Sequence, residues 1–100
     1  MLESNLTGKQ KRYLRAMGST LDPVVQIGKA GVVEAVTDSA RDALLARELI
    51  KVRVLQNSPS DPKEAIADLA ALLQAELVQV IGRNGLLYKC NPDNRKIELP

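Results

Sequence analysis

The chain has 100 residues, 45% of them apolar, which is typical of a single globular domain. It contains no histidine and one cysteine, which excludes an intramolecular disulfide, a zinc site of His and Cys ligands within one chain, and nucleophilic Ser-His or Cys-His pairs. The net charge is only +2, but its uneven distribution favours a polyanionic partner.

Other absences narrow the function classes further. No apolar run approaches the roughly 18 residues that a membrane span needs, and residues 1–12 lack the apolar stretch of a secretory signal. We therefore expect a soluble, cytoplasmic protein with no membrane partner. No pair of acidic residues stands at the end of a predicted element, where a general acid and base often lie. We expect a non-catalytic protein without a cofactor, a bound metal or a small-molecule substrate.

The first predicted element is an amphipathic helix, capped by Thr7 and ending near Gly18. At about 100° per residue, its apolar arc contains Tyr13, Leu14 and Met17. The opposite arc is basic and contains Lys9, Lys11, Arg12 and Arg15. Four cations without an acid are unusual on a face that serves only solubility, because solubility favours mixed signs. Two interpretations remain: a polyanion-binding surface or a solvated helix face.

A strand, a loop and a second helix follow. Pro23 ends the helical pattern, and the β-rich run from Val24 to Ile27 predicts a buried strand. After a loop at residues 28–31, helical spacing resumes at Val32 and ends near residues 45–47. This helix is predicted to bury Val32, Val36, Ala40, Ala43 and Leu44, and to expose Glu34, Asp38, Arg41 and Asp42.

The remaining elements complete one sheet. Within residues 48–56, Ile50, Val52 and Val54 alternate with Lys51 and Arg53, which predicts a strand with one better-buried face. Asp61 as N-cap and Pro62 at the first helical position predict a third helix. Two strands, 77–81 and 86–90, are predicted to form a hairpin around residues 82–85, where Asn84-Gly85 suits positive φ. Residues 91–100 are expected to be a weakly ordered tail, in which Ile97 and Leu99 could make an edge contact.

The predicted order is α-β-α-β-α-β-β, without an internal repeat or a linker. It favours a compact single α/β domain in which helices pack on a four-stranded mixed sheet. The two β-α-β passages should be right-handed crossovers if each links parallel neighbours. The domain is expected to span residues 1–100, with a core of about residues 6–90.

The stretch "IGKAGVVEAV", residues 27–36, places two glycines between a predicted strand and a predicted helix. Unpaired N–H groups at a helix N-terminus attract phosphate, and glycines let it approach the backbone, while Lys29 adds a cation. The triphosphate motif GxxxxGK(S/T) and the dinucleotide motif GxGxxG are both absent. Alone, the GxxG pattern is weak, because Gly28 and Gly31 could simply end a strand and begin a helix.

The surroundings of this loop refine the phosphate hypothesis. Glu34, Asp38 and Asp42 on the following helix would repel a polyanion, so contact is expected at the loop and not along the helix flank. Lys51 and Arg53 offer further cations, although spacing does not show whether they flank the loop. Because the chain has only two aromatic residues and Tyr13 lies on the apolar arc, we expect backbone contacts without base stacking. Affinity for the polyanion should then fall steeply with salt.

Three segments resemble a known family: "LTGKQKRYLRAMGSTLDPVVQIGKAGV", "RELIKVRVLQN" and "ELVQVIGRNGLLYK". They are similar, in this order, to the bacterial YhbY family, stand-alone versions of the CRM domain (chloroplast RNA splicing and ribosome maturation). The likeness extends from residue 6 to about residue 100, and "LTGKQKRYLR" together with "QIGKAGV" is far more specific than GxxG alone. It implies an α/β fold related to the C-terminal domain of translation initiation factor three. It also implies RNA binding and association with precursors of the large ribosomal subunit.

The family's GxxG loop falls on Gly28, Lys29, Ala30 and Gly31 of this chain, and the basic first helix matches the family's usual pattern. Many relatives read GKGG at the loop, so Ala30 departs from them at an inner position. The predicted RNA-binding residues are Lys9, Lys11, Arg12, Arg15, Gly28, Lys29, Ala30, Gly31, Lys51 and Arg53.

Three functional hypotheses follow. The leading one is a non-catalytic RNA-binding factor of large-subunit assembly, whose partners are ribosomal RNA precursors and the pre-ribosomal particle. The second is a protein-interaction module, in which the acidic second helix and the apolar tail residues dock a ribosomal protein or an assembly factor. The third, an enzyme acting on RNA, lacks an acid–base pair that the sequence identifies.

Overall fold

The computed structural model describes residues 6–100, so residues 1–5 of the predicted domain lie outside the described part. Three helices and four strands follow in the predicted order, which is thereby confirmed. The helices are α1 (Gly8–Gly18), α2 (Glu34–Arg47) and α3 (Pro62–Leu73), and the strands are β1 (Pro23–Ile27), β2 (Leu49–Val54), β3 (Glu76–Ile81) and β4 (Asn84–Tyr88).

The strands form one mixed sheet in the order β1-β2-β4-β3, as the predicted fold class requires. β1 and β2 are parallel and are joined by α2, whereas β4 is antiparallel to both of its neighbours. The β3–β4 hairpin therefore places β4 between β2 and β3. The second β-α-β passage links strands that run in the same direction but do not pair.

Different parts of the chain cover the two faces of the sheet. α2 and α3 pack on one face, the α2–α3 face, and enclose the larger apolar core, which includes Ile27, Val52, Val54, Ile66 and Leu87. α1 and the C-terminal segment, residues 91–100, pack on the other, the α1 face. Its smaller core includes Leu14, Leu49, Leu86, Tyr88 and Ile97. Because side chains alternate along a strand, Lys51 and Arg53 of β2 belong to the α1 face.

Two helices begin at the predicted caps. The Thr7 hydroxyl accepts a hydrogen bond from the Gln10 N–H at 3.1 Å, and the Gln10 side-chain oxygen accepts one from the Thr7 N–H at 3.0 Å. These reciprocal bonds form a capping box at the start of α1. At α3, the Asp61 carboxylate accepts from the Lys63 N–H at 3.1 Å, with Pro62 at the first helical position.

The apolar arc of α1 is less buried than its periodicity predicts. Leu14 is fully buried, but Tyr13 and Met17 are 42% and 37% exposed, so the prediction is wrong for these two side chains. The reason is the close approach of α1 to the sheet at Gly18, where a Cβ would lie 2.4 Å from Leu86. The covered stripe therefore runs from Leu14 to Gly18.

α2 begins two residues after the predicted Val32. Gly31 has φ +77° and its carbonyl accepts a hydrogen bond from the Val33 N–H at 3.0 Å, so the chain makes one more turn before the helix. Val33 occupies the N-cap position and provides no side-chain hydrogen bond. Only Glu34 onward is helical, and the helix ends at Arg47 within the predicted range.

The β3–β4 turn is shorter than predicted. It consists of Gly82 and Arg83, and Gly82 supplies the positive φ, +58°. Asn84 and Gly85, which were predicted to turn, are the first residues of β4. Gly85 is required there for a different reason: a Cβ would lie 2.6 Å from the Ile66 side chain of α3. Helix α3 thus packs directly on the β4 backbone.

The C-terminal segment has no helix or strand, yet its backbone is held in place by Glu48. This residue is fully buried at the junction of α2 and β2, with φ +65°. Its carboxylate accepts hydrogen bonds from the backbone N–H groups of Asn91, Lys96 and Ile97 at 2.6, 2.5 and 2.8 Å. The weakly ordered tail expected from sequence is in this respect a docked segment, because the carboxylate satisfies three of its donors.

The apolar residues of this segment complete the smaller core. Ile97 is 7% exposed, and Leu99 packs against the same cluster. The carbonyl of Pro100 accepts a hydrogen bond from the Gln10 side chain of α1 at 3.2 Å. The segment therefore packs with α1 on the same face of the sheet.

Candidate nucleic-acid interface

The GxxG loop forms a tight turn at the end of β1. The Gly31 N–H donates to the Gly28 carbonyl at 2.9 Å, which closes the turn around Lys29 and Ala30. Neither central residue has positive φ, so Ala30 adopts this turn without backbone strain. Both central side chains are exposed, and neither central N–H donates to another described backbone group or side chain. The turn thus presents two N–H donors and one ammonium group to solvent.

The two glycines of the loop differ in what the fold requires of them. Gly31 has positive φ and lies against Pro59 of the β2–α3 loop, so a side chain there would be strained. Gly28 does not have positive φ, and a Cβ there would meet only the Leu55 side chain at 3.7 Å, an ordinary contact. The fold therefore needs glycine at position 31 and accepts a side chain at position 28.

Strand directions place other cations at the same end of the sheet as this loop. β1 and β2 are parallel, and Arg53 of β2 is opposite Gln26, the next-to-last residue of β1. Arg53 therefore lies near the end of β1 from which the loop continues. The β3–β4 turn lies at this end as well, since the Arg83 carbonyl accepts from the Val54 N–H at 2.7 Å. The Arg83 guanidinium donates to the Leu55 carbonyl at 3.3 Å. Arg53 and Arg83 thus belong to the same end of the domain as Lys29.

The cations of α1 are spread along the helix. Its last residue, Gly18, packs on Leu86, which is opposite Lys51, so the C-terminal end of α1 approaches the basic residues of β2. Its first turn lies at the other end, where Gln10 contacts Pro100. Lys9 is exposed and Lys11 half-buried in that distant half. The structure therefore brings Arg53 to the loop's end of the sheet, but Lys51 lies opposite Pro23, at the start of β1 and away from the loop. Lys9 and Lys11 lie in the first turn of α1, up to about 14 Å of helix from Gly18.

The acidic residues of α2 are exposed, as predicted. Asp38 forms an ion pair with Arg41 at 2.9 Å, which reduces the charge that this side chain presents. Glu34 lies in the first turn of α2, so the helix N-terminus carries its own anion. Because this helix begins three residues after Gly31, the loop's own N–H groups, and not the helix N-terminus, are the donors nearest Lys29.

Sequence reasoning missed two features of this surface. It placed Tyr13 on a buried arc, whereas the structure leaves the ring partly exposed on the basic helix. It also left Arg83 out of the site, because "GRNG" was interpreted only as a turn. The pairing of β4 with the parallel β1–β2 unit, which brings Arg83 to the loop's end of the sheet, has no local sequence signal.

Within residues 6–100, no group of three or more His, Cys, Asp or Glu side chains could hold a metal ion. None of the helices in this part of the chain has both the length and the apolar character needed to cross a membrane. Burial raises the pKa of Tyr88 to about 12, so this phenol stays protonated.

Comparison with known proteins identifies relatives over nearly the whole chain. The family model for the CRS1 / YhbY (CRM) domain matches residues 6–89. "Probable RNA-binding protein YqeI" of Bacillus subtilis is 46% identical over 95 residues, covering 95% of this chain and 99% of that protein. A Haemophilus influenzae protein named "RNA-binding protein" is 34% identical over 97 residues, covering 97% of both chains.

A solved structure shares the fold. The solution structure of the hypothetical protein SAV1595 from Staphylococcus aureus superimposes with a TM-score of 0.79 and 49% sequence identity. The match covers 95% of this chain and 99% of that chain. The predicted single α/β architecture is thus shared with a close relative along its full length.

Proposed function

The chain belongs to the CRS1 / YhbY (CRM) domain family, and from this premise we propose that it is a non-catalytic RNA-binding protein of the cytoplasm that associates with ribosomal RNA precursors during assembly of the large subunit. Relatives named as RNA-binding proteins support RNA as the ligand class. The observation that carries the proposal is the Gly28–Gly31 turn, which exposes two N–H donors and Lys29 at the end of the sheet where Arg53 also lies.

The turn suits a phosphate group for physical reasons. N–H groups that point into solvent can donate to phosphate oxygens without breaking an internal bond, and the Lys29 ammonium adds a point charge. Gly28 lets the sugar–phosphate backbone come close, although the fold itself does not require glycine there. Arg53 offers a second charge for the RNA backbone, on the α1 face at the same end of the sheet.

A charge reversal tests the role of the loop. Lys29→Glu should weaken binding to a structured ribosomal RNA fragment about tenfold or more, and Lys29→Ala should reduce the salt slope of log K by about 0.7 to 0.9. Arg47→Glu is the matched control, because Arg47 is exposed at the far end of α2, about 20 Å of helix from its start. Fluorescence anisotropy against salt measures both quantities. An RNA affinity that changes neither with salt concentration nor with the Lys29 substitutions would exclude the proposal.

A substitution at Gly28 separates the loop's binding role from its structural role. Gly28→Ala should leave stability within about 0.5 kcal/mol of wild type, because the added methyl group makes only an ordinary contact. Its RNA affinity should nevertheless fall, because the added methyl group occupies the space through which the RNA sugar–phosphate backbone approaches the protein backbone. Urea unfolding and anisotropy on the same preparation compare the two effects. Unchanged affinity would remove Gly28 from the interface.

The identity of the RNA needs an experiment in cells. Crosslinking followed by RNA sequencing should recover large-subunit ribosomal RNA precursors, with crosslinks at or near Lys29 and Arg53. Recovery of other RNAs instead would leave RNA binding in place and refute the ribosomal part of the proposal.

The alternative of a protein-interaction module loses part of its basis. Ile97 is buried in the domain's own core and Leu99 packs beside it, so these two side chains are occupied internally. The exposed acidic face of α2 remains as a docking surface for a basic ribosomal protein or assembly factor. A pull-down after nuclease treatment distinguishes the two functions, because partners that persist after digestion are held by protein contacts.

A further inference from the structure

The α1 face of the sheet is only partly covered. α1 ends at Gly18, above the strand row that contains Lys51, Leu86 and Gln79. The next row towards the GxxG loop crosses all four strands and contains Gln26, Arg53, Asn84 and Ile81. We call these four residues the open row. All four are exposed, and Ile81 is 64% exposed although it is a large apolar residue in a strand.

The neighbours of the open row establish which way it faces. The chain neighbours of three row members pack in the core under α2 and α3. These neighbours are Ile27, next to Gln26, Val54, next to Arg53, and Val80, next to Ile81. On β4, a Cβ at Gly85 would point at Ile66 of α3. Because successive side chains point to opposite faces, the open row lies on the α1 face, beyond the end of α1. A pocket of about 270 Å³ lies where the open row meets the end of α1. Its lining includes Ser19, Gln79, Asn84 and Ile81.

The open row offers side-chain amides for hydrogen bonding and one positive charge. Gln26 and Asn84 are amides, each with donors and an acceptor, and Arg53 lies on the strand between them. The row contains no carboxylate, and Lys29 and Arg83 lie just beyond it at the same end of the sheet. No aromatic ring is present in the row, and Tyr88 on this face is buried further along β4. The row can therefore hydrogen-bond to planar polar groups but offers no ring for stacking.

We propose that the open row binds a short unpaired RNA segment, with Gln26 and Asn84 hydrogen-bonding base edges and Arg53 contacting the backbone between them. The inference rests on the proposed function and deepens it by naming the form of RNA. Amide side chains match the donor–acceptor pairs of bases. The groove of an A-form duplex that carries most sequence information is too deep and narrow for side chains to read, so such contacts need unpaired bases.

Charge and position favour RNA over a protein partner for this surface. Three spacings of about 4.8 Å make the row about 14 Å wide, enough for a few extended nucleotides to cross it. The row continues directly into the GxxG turn, so one strand can contact both, with phosphates at the turn and bases on the row. An acidic peptide could use the cations and bond the amides through its backbone, but RNA alone would also continue into the turn that is proposed to bind phosphate.

Short oligonucleotides test this inference. Labelled, unstructured RNAs of about eight nucleotides, composed of A, C or U, are titrated with protein and followed by anisotropy. Wild type should discriminate among them. Gln26→Ala and Asn84→Ala should each reduce the ratio between best-bound and worst-bound RNA about fivefold or more, with the salt slope unchanged. Asn94→Ala is the matched control, since Asn94 is an exposed residue of the C-terminal segment.

The outcomes separate this inference from the proposed function. Equal affinity of wild type for all three oligonucleotides, or discrimination that survives both amide substitutions, would overturn it. If structured RNA is then still bound in a salt- and Lys29-dependent way, the proposed function stands alone. If wild type binds neither kind of RNA, both fail. Circular dichroism at increasing temperature verifies that each variant is folded, which the exposure of both amides leads us to expect.

Discussion

Glu48 provides the sharpest test of how this domain is held together. Its carboxylate is fully buried and accepts three backbone N–H groups of the C-terminal segment. Hydrogen bonds to a charged group contribute about 1.5–3 kcal/mol each, and neutral ones about 0.5–1.5 kcal/mol. The perturbation of interest is Glu48→Gln, which keeps the shape of the side chain and removes the charge.

The cost of this substitution can be worked out from the three bonds. One carboxylate oxygen accepts from both Lys96 and Ile97, and the other accepts from Asn91. A glutamine oxygen can keep the first two bonds in weaker, neutral form, at a loss of about 1 kcal/mol each. Its amide then faces the Asn91 N–H, donor against donor, and that bond is lost. Since the neutral side chain no longer has to be desolvated as a charge, the net loss of stability should be about 2–4 kcal/mol.

Acid pH should act on the same carboxylate. Burial by itself would raise the pKa of Glu48, but the backbone donors outweigh it and hold the pKa below its usual value. A lowered pKa means that this contribution is fully present above the unfolded-state pKa, about 4.3, and is lost as pH falls through the folded-state value. The gap in stability between wild type and Glu48→Gln should therefore be constant near neutral pH and should narrow below pH ~4.

Urea unfolding followed by circular dichroism measures both effects. Glu98→Gln is the control, because Glu98 is exposed in the same segment and its substitution should change stability by no more than about 0.5 kcal/mol. Glu48→Gly adds a second comparison, since glycine relieves about 1–2 kcal/mol of strain at positive φ and should be more stable than Glu48→Ala. A Glu48→Gln variant as stable as the control, or with the acid sensitivity of wild type, would refute the reasoning.

Two further substitutions test the glycines that the fold requires. Gly31→Ala should destabilise the domain by about 1–2 kcal/mol in urea unfolding, because alanine is strained at φ +77°, whereas Ala30→Gly should change stability by less than about 1 kcal/mol; equal effects would contradict the turn geometry. Gly85→Ala should cost about 1–3 kcal/mol and be partly rescued by Ile66→Val, which removes one methyl group near the added one; a tolerated Gly85→Ala would contradict the close packing of α3 on β4.

Features that depend on local chemistry could be predicted from the sequence. The Thr7 and Asp61 caps, the period-2 alternation around Val52 and the glycines of the loop all act within a few residues, and the structure has the corresponding elements. The start of α2 was less predictable, because the extra turn at Gly31 depends on a positive φ that glycine permits but does not enforce.

Features that depend on distant residues could not be predicted. "GRNG" contains two glycines suited to a turn, and only the approach of Ile66 explains why Gly85 belongs to the strand and Gly82 to the turn. Helical periodicity identified the apolar arc of α1 but not how far the sheet covers it, so Tyr13 was misplaced. Glu48 resembled any acid at a helix end, because the donors it binds lie 43 to 49 residues further along the chain.

The candidate site also has a part that the sequence predicts and a part that depends on distant residues. The loop was predicted as a candidate site from four residues, and Arg53 was predicted as a further cation of that site from its charge. The association of the loop with Arg53 and the open row follows from the parallel register of β1 and β2, which pairs Gln26 with Arg53. Register between strands separated by a 14-residue helix has no signal in composition or spacing.

The position of β4 has a consequence for how the domain assembles. β2 precedes β4 by a helix and a strand in the chain, yet in the sheet β4 is its direct neighbour. Until the β3–β4 hairpin forms and inserts, a partly synthesised or partly folded chain has a two-stranded parallel unit with one hydrogen-bonding edge of β2 unsatisfied. Local hairpin closure takes microseconds, whereas non-local pairing is slower because a long loop must be closed first. We expect docking of the hairpin on β2 to limit the folding rate, and the species before it to be the one most prone to aggregate.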